Sequence, residues 1–137
     1  MNFNKLTEIA FALCDFSSHD LRAFHVSFLL RRSKILSIGI NKKCTHTINL
    51  KNRKFNRSGV NISDAKFKCA EFCCLWKSKK QNIDYHKCKL VVIRITRKNK
   101  LGMSAPCESC LSLLRHFNIK EVYFTTESGE FVQQIIN

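Results

Sequence analysis

Four residues of the 137-residue chain stand out for the chemistry that their types and spacing allow. They are Cys69 and Glu71 in Cys69-Ala70-Glu71, and Cys107 and Cys110 in Pro106-Cys107-Glu108-Ser109-Cys110. A Cys-x-x-Cys pair at a helix start has both sulfurs within reach of one metal ion, and the helix dipole lowers thiol pKa values so that the ligands are deprotonated. With Cys69 as a third ligand, zinc keeps its fourth tetrahedral position open to water, as catalytic zinc sites do. Glu71, two residues past Cys69, is placed to lie beside that water without binding the metal, and to carry protons there. The competing arrangement is a closed, structural site in which Cys73 is a fourth thiolate; it leaves Glu71 without a role. Cys14, Cys74 and Cys88 are expected to be small core residues.

These residues need elements to hold them. Leu6, Ile9, Ala10 and Leu13 fall at helical spacing within 4–15, which predicts an amphipathic first helix. Residues 25–32 and 34–41 are two β-rich runs separated by a polar turn, a hairpin spacing. Residues 42–68 have no clear period and are expected to be a long loop, of the kind that carries function. A second helix is predicted from Cys69 to about Lys80, and a covered strand over 90–96. Pro106 suits a first helical turn, and Leu111, Leu114 and Phe117 with Cys110 mark one buried face up to Asn118. Residues 119–126 and 130–136 should be two strands in an antiparallel hairpin across Ser128-Gly129. The order α-β-β-α-β-α-β-β predicts an α/β sheet of five strands with helices on both faces. Its crevice should lie beyond the carboxyl ends of the strands, where Cys69 and Cys107 sit at helix starts.

At its two cysteine motifs the sequence resembles the zinc-dependent cytidine deaminase superfamily, whose signature is His or Cys, then x-Glu, then Pro-Cys-x-x-Cys. The strand containing Ile38-Gly39-Ile40-Asn41, the element order and residues 111–123 are similar to it as well. The resemblance implies an α-β-α layered fold with a mixed five-stranded sheet, a Zn²⁺ cofactor held by Cys69, Cys107 and Cys110, and hydrolytic deamination of cytosine to uracil. Glu71 would then take a proton from water, protonate the ring nitrogen and return a proton to the departing ammonia. Three thiolates against one Zn²⁺ leave a net negative charge, to be offset by helix N-termini or a nearby Arg. By the same resemblance Asn41 contacts the sugar, the alternative being a cap on the strand end, and Ala70 and Pro106 lie against the substrate. His46, in the loop just after Asn41, is assigned to the pocket or to the surface. Cys at the first ligand position resembles free cytidine deaminases, whereas nucleic-acid and nucleotide deaminases usually have His there.

Composition bounds the rest. With 45% apolar and 25% charged residues, one Pro and four Gly, the chain is expected to form one domain over 1–137, which the resemblance implies is a zinc-dependent deaminase domain. No apolar run approaches the ~20 residues of a spanning helix, and Glu8 and Asp15 interrupt what a signal peptide would need. A cytoplasmic protein is therefore expected, and its eight cysteines are thiols or ligands instead of disulfides. Lys and Arg number 24 against 10 acids, a net charge of +14. A composition rich in Lys, Asn, Ile and Phe would scatter such charge, yet it is concentrated. Residues 42–68 and 97–105, expected at the crevice, hold Lys42, Lys43, Lys51, Arg53, Lys54, Arg57, Arg97, Lys98 and Lys100 among eleven cations, against Asp64 alone. Phe55 and Phe67 interleave them, as stacking on unpaired bases requires. Single-stranded DNA or RNA is thus the favoured substrate and partner. The alternatives are a free cytidine, deoxycytidine or dCMP deaminase, and a nucleic-acid-binding module with structural zinc.

Overall fold

The computed structural model describes residues 2–14, 23–43 and 67–136. His46, Lys51, Arg53, Lys54, Arg57, Cys44 and Phe55 lie outside the described residues.

Helix α1 (Phe3–Leu13) is capped by Asn2, whose side chain accepts from the Lys5 amide at 3.2 Å. Of the expected stripe it buries Leu6 and Ala10, with Ile9 half-buried, whereas Leu13 at the last turn is exposed. Strands β1 (Ala23–Arg31) and β2 (Lys34–Ile40) form the expected hairpin, with a register shift between Leu29 and Leu30. The two-residue strands β3 (Lys42–Lys43) and β4 (Phe67–Lys68) pair with each other, so the ends of the expected loop form a short ribbon. Helix α2 (Ala70–Ser78) follows, then a 3₁₀ turn at Tyr85–Lys87 and strand β5 (Lys89–Thr96). After β6 (Leu101–Gly102) come helix α3 (Glu108–His116) and strands β7 (Glu121–Thr125) and β8 (Phe131–Ile135).

The sheet runs β2-β1-β5-β7-β8, with β6 added beside β5 as a sixth, two-residue strand. Strands β5 and β7 are parallel across the α3 crossover, and β7 and β8 are antiparallel. The sheet is therefore mixed and ends in the expected hairpin.

Strand alternation divides the core in two. Phe24, Val26, Phe28 and Leu30 of β1, with Val91, Ile93 and Ile95 of β5, pack against α1. Leu29, Leu90, Val92 and Val122 point to the opposite face and meet Phe72 and Leu75 of α2 and Leu111 and Leu114 of α3. Each large side chain fully buried here contributes roughly 2–3 kcal/mol of transfer free energy. Cys74 and Cys88 belong to the second cluster and Cys14 packs against the first, as small core residues do.

Helix α3 begins at Glu108, two residues later than Pro106 had indicated. Cys107 has an extended backbone (φ −75°, ψ 172°) and acts as the cap, so Pro106 stands one residue outside the helix. Asn118, just beyond the other end, takes the left-handed conformation (φ 63°) common where a helix stops.

Candidate metal centre and cleft

Helices α2 and α3 both start at a cysteine. The Cys69 carbonyl accepts from the Cys73 amide at 3.1 Å, and the Cys107 carbonyl accepts from the Leu111 amide at 2.9 Å. Both helices therefore aim their free amide groups at the same place, beyond the carboxyl ends of β5 and β7. The Sγ atoms of Cys69, Cys107 and Cys110 converge there and lie within 4.8 Å of one another. Sulfurs held 2.3 Å from a tetrahedral zinc ion are about 3.8 Å apart, so this spacing suits one Zn²⁺ with an open fourth position. Cys73 is buried in α2 and is not part of the group.

The thiols already share charge unequally. Cys110 and Cys69 hydrogen-bond to the Cys107 sulfur and hold its pKa well below the thiol range, helped by the Ser109 and Cys110 amides at the start of α3. The same contacts with Cys107, and burial, push Cys69 and Cys110 up. Three cysteine sulfurs gathered within reach of one cation are the donor set of a zinc site, to which they bind as thiolates.

Glu71 is 6% exposed at the first turn of α2. Burial raises its pKa, and the Cys110 thiol beside it offsets this in part. The carboxyl group is thus next to the sulfurs in a low-dielectric setting, where it can hold and release a proton.

A cleft of about 360 Å³ opens over this floor. Cys69, Ala70, Glu71, Cys107 and Cys110 form its base; Asn41, His25 and Arg94 form one wall and Met103, Ser104 and Ala105 another. The second wall is fixed by hydrogen bonds: Ser104 Oγ donates to the Val92 carbonyl at 2.9 Å, and Thr125 Oγ1 donates to the Gly102 carbonyl at 2.7 Å. Ala105 and Cys107 line the cleft, and Pro106, between them in the chain, is not among its lining residues.

Asn41 lines the cleft, but its carboxamide is engaged. Its Oδ1 accepts from the His25 amide at 2.8 Å and its Nδ2 donates to the Ala23 carbonyl at 3.1 Å. It closes the start of β1 as a cap would. Two polar residues of the wall carry no local signal in the sequence. His25 and Arg94 are cross-strand partners on β1 and β5. Burial, and then the Arg94 charge, lowers the His25 pKa to about 4, so the imidazole is neutral at neutral pH.

Of the expected basic residues, Arg97, Lys98 and Lys100 are exposed in the β5–β6 turn, and Lys42 and Lys43 lie on the ribbon that leads to Cys69. Arg31, Arg32 and Lys34 line a separate surface cleft with residues 81–84. No helix among the described residues is long and apolar enough to cross a membrane.

The family described as cytidine and deoxycytidylate deaminase zinc-binding region matches residues 2–126. The fold is similar to that of cytidine deaminase from Burkholderia pseudomallei, at 18% identity and a TM-score of 0.62, over 99% of this chain and 94% of that one. It is also similar to dCMP deaminase from the cyanophage S-TIM5 in apo form, at 16% identity and a TM-score of 0.54, over 90% and 79% of the two chains. The same phage enzyme in complex with dCMP and dUMP gives 14% identity and a TM-score of 0.51, over 90% and 74%. No curated protein sequence matches. With the family match running from the first helix through β7, and a thiol cluster fit for zinc at its centre, the chain belongs to the zinc-binding cytidine and deoxycytidylate deaminase family and is a zinc-dependent deaminase acting on cytosine.

Proposed function

We propose that the substrate is a free cytosine nucleoside or nucleotide, with Cys69, Cys107 and Cys110 as zinc ligands and Glu71 as the proton carrier. The observation that carries this reading is the cleft: about 360 Å³ above Glu71 and the three thiols, room for one nucleotide unit. The similar solved structures, titled cytidine deaminase and dCMP deaminase, support the same substrate class.

Zinc bound by the three sulfurs supplies Lewis acidity toward a water molecule. The remaining roles belong to the chain. Glu71 accepts the proton that water loses as its oxygen adds to C4 of the base, and passes a proton to N3. It then takes the second proton from the hydroxyl now on C4 and delivers it to the amino nitrogen as the C4–N bond breaks, so that cytosine and water become uracil and ammonia. Burial raises the Glu71 pKa, so the carboxyl group can hold the proton it takes before passing it on. The amides of Ser109 and Cys110 at the start of α3 favour negative charge on Cys107 and so offset part of the thiolate excess.

A polynucleotide substrate is the second reading. It is favoured by the backbone placement of Lys42, Lys43 and Lys68 on the ribbon and of Arg97, Lys98 and Lys100 in the turn. Its contacts would extend to Lys51, Arg53, Lys54 and Arg57 between β3 and β4. Uracil formation on cytidine, deoxycytidine, dCMP and a cytosine-containing single-stranded oligonucleotide, measured side by side, separates the two. Turnover of a monomeric substrate at least as efficient as that of the oligonucleotide supports the first reading; turnover of the oligonucleotide alone overturns it.

A further inference from the structure

Thr125, the last residue of β7, is fully buried and is not among the residues that line the cleft. Its hydroxyl nevertheless ties three strands together, at the seam where β5 changes neighbours. Residues 89–92 of β5 pair with β7, from Lys89 opposite Glu121 to Val92 opposite Phe124. Beyond them Arg94 and Ile95 pair with Gly102 and Leu101 of β6. A ladder that changes partner leaves backbone groups unmatched, and buried ones need a substitute. Thr125 supplies it: Oγ1 accepts from the Arg94 amide at 3.2 Å and donates to the Gly102 carbonyl at 2.7 Å. Ser104, which does line the cleft, is bound to the same residue. Its amide donates to the Thr125 carbonyl at 3.0 Å, its Oγ accepts from the Thr125 amide at 2.9 Å, and the two hydroxyl oxygens lie 3.0 Å apart. Met103 and Ala105, on either side of Ser104, are exposed, and the Met103 carbonyl takes a longer bond from Arg94 Nη1 at 3.3 Å. The buried Ser104 is thus the anchor of this wall, and Thr125 is what it is anchored to.

We infer that Thr125 is a positioning residue for the deamination: acting through Ser104, it sets the Met103–Ala105 wall against which the substrate binds. The inference rests on the cleft as the place of deamination and holds for a free or a polymeric substrate. The wall and the floor of the cleft are held separately. Glu71 and the three cysteines belong to the starts of α2 and α3, whereas Met103–Ala105 is docked on the end of the sheet. Loosening the Thr125 connection therefore weakens the fit of the substrate and leaves the proton carrier and the thiols where they are.

The experiment is steady-state kinetics on the wild type, Thr125→Val, Thr125→Ser, Ser104→Ala, the Ser104→Ala/Thr125→Val double variant and Val122→Ala, each with zinc content and folded fraction measured. The substrate is whichever of cytidine, deoxycytidine, dCMP and the oligonucleotide the wild type turns over best. The free-substrate reading fails separately, if only the oligonucleotide is turned over. Thr125→Val keeps the shape of the side chain and removes its hydroxyl. KM should rise at least ~10-fold as the wall loses its fit, with kcat within about 3-fold of the wild type. A merely unfolded fraction does the reverse, lowering apparent kcat with KM unchanged. Thr125→Ser keeps the hydroxyl and should stay close to the wild-type KM. Ser104→Ala should raise KM as Thr125→Val does, and the double variant no further, because both cut one connection. Val122→Ala empties a fully buried position on the same strand without touching the wall, and should leave KM as it was. Should Thr125→Val not fold, Thr125→Ala, with room for a water beside the orphaned backbone groups, takes its place with the same expectation. An unchanged KM in the zinc-loaded Thr125 variant overturns the inference. So does a Thr125→Ser KM as high as that of Thr125→Val, an equal rise in Val122→Ala, or effects that multiply in the double variant.

Discussion

Gly39 of β2 and Cys74 of α2 touch backbone to backbone. A Cβ on Gly39 would lie 2.7 Å from Cys74 Cα and would overlap the Cys74 amide nitrogen and the Ala70 carbonyl oxygen. The helix start that carries Glu71 is therefore seated directly on the strand, and Ser37 Oγ, donating to the Cys74 carbonyl at 2.8 Å, fixes its height. Gly39→Ala must push α2 outward. We expect a loss of about 3 kcal/mol or more, since backbone on both sides cannot yield as a side chain would. Urea denaturation measures it, and a loss below about 1 kcal/mol would show that the contact is looser than described.

Zinc content separates an open site from a closed one. Cys107→Ala should abolish stoichiometric zinc, and Cys73→Ala should keep one zinc per chain, because Cys73 is outside the converging group. Equal zinc loss in both variants would make the site four-coordinate and remove the open position on which hydrolysis depends.

Stability should depend on pH through His25. Its folded pKa of about 4 lies below the ordinary 6.5. Between those values the unfolded chain binds a proton that the folded chain does not. This group's contribution is thus complete above pH 6.5 and is lost as pH falls through about 4, by about 3 kcal/mol in all. Denaturation curves for the wild type and His25→Gln, recorded at pH 7 and near pH 4, should diverge, with the wild type losing more. Parallel losses would place His25 in a solvated setting.

Asn41 ties the end of β2 to the start of β1 through two backbone groups. Asn41→Ala leaves the His25 amide and the Ala23 carbonyl without these partners. A cost of about 2 kcal/mol is expected, within the range for orphaned polar groups, together with faster hydrogen exchange at the His25 amide. Unchanged exchange there would mean that the carboxamide faces the ligand instead.

The reach of sequence reasoning follows the range of each interaction. Apolar periodicity located the first and last helices, because Leu6 and Ala10 or Leu111 and Leu114 signal their buried faces within one or two turns, and the β-rich or apolar runs located β1, β2 and β5. The convergence of Cys69, Cys107 and Cys110 was legible because each motif carries its own helix start. His25 and Arg94 were not, since only the long-range register of β1 against β5 brings them together. Strands β3, β4 and β6, two residues each, are too short to show a period. Pro106 misled by two residues because a proline fits the extended backbone before a cap as well as the first turn itself. Asn41 was open between sugar contact and cap, and its bonds to His25 and Ala23 are those of a cap.

The central claim is that Glu71 moves the protons of a zinc-dependent cytosine deamination, and kcat of Glu71→Gln on the best free cytosine substrate tests it most directly. Gln keeps the size of the buried side chain but cannot transfer the proton. With zinc content and fold unchanged, kcat should fall by at least ~10²-fold. A zinc-loaded, folded Glu71→Gln enzyme turning over within a few-fold of the wild type would contradict the account.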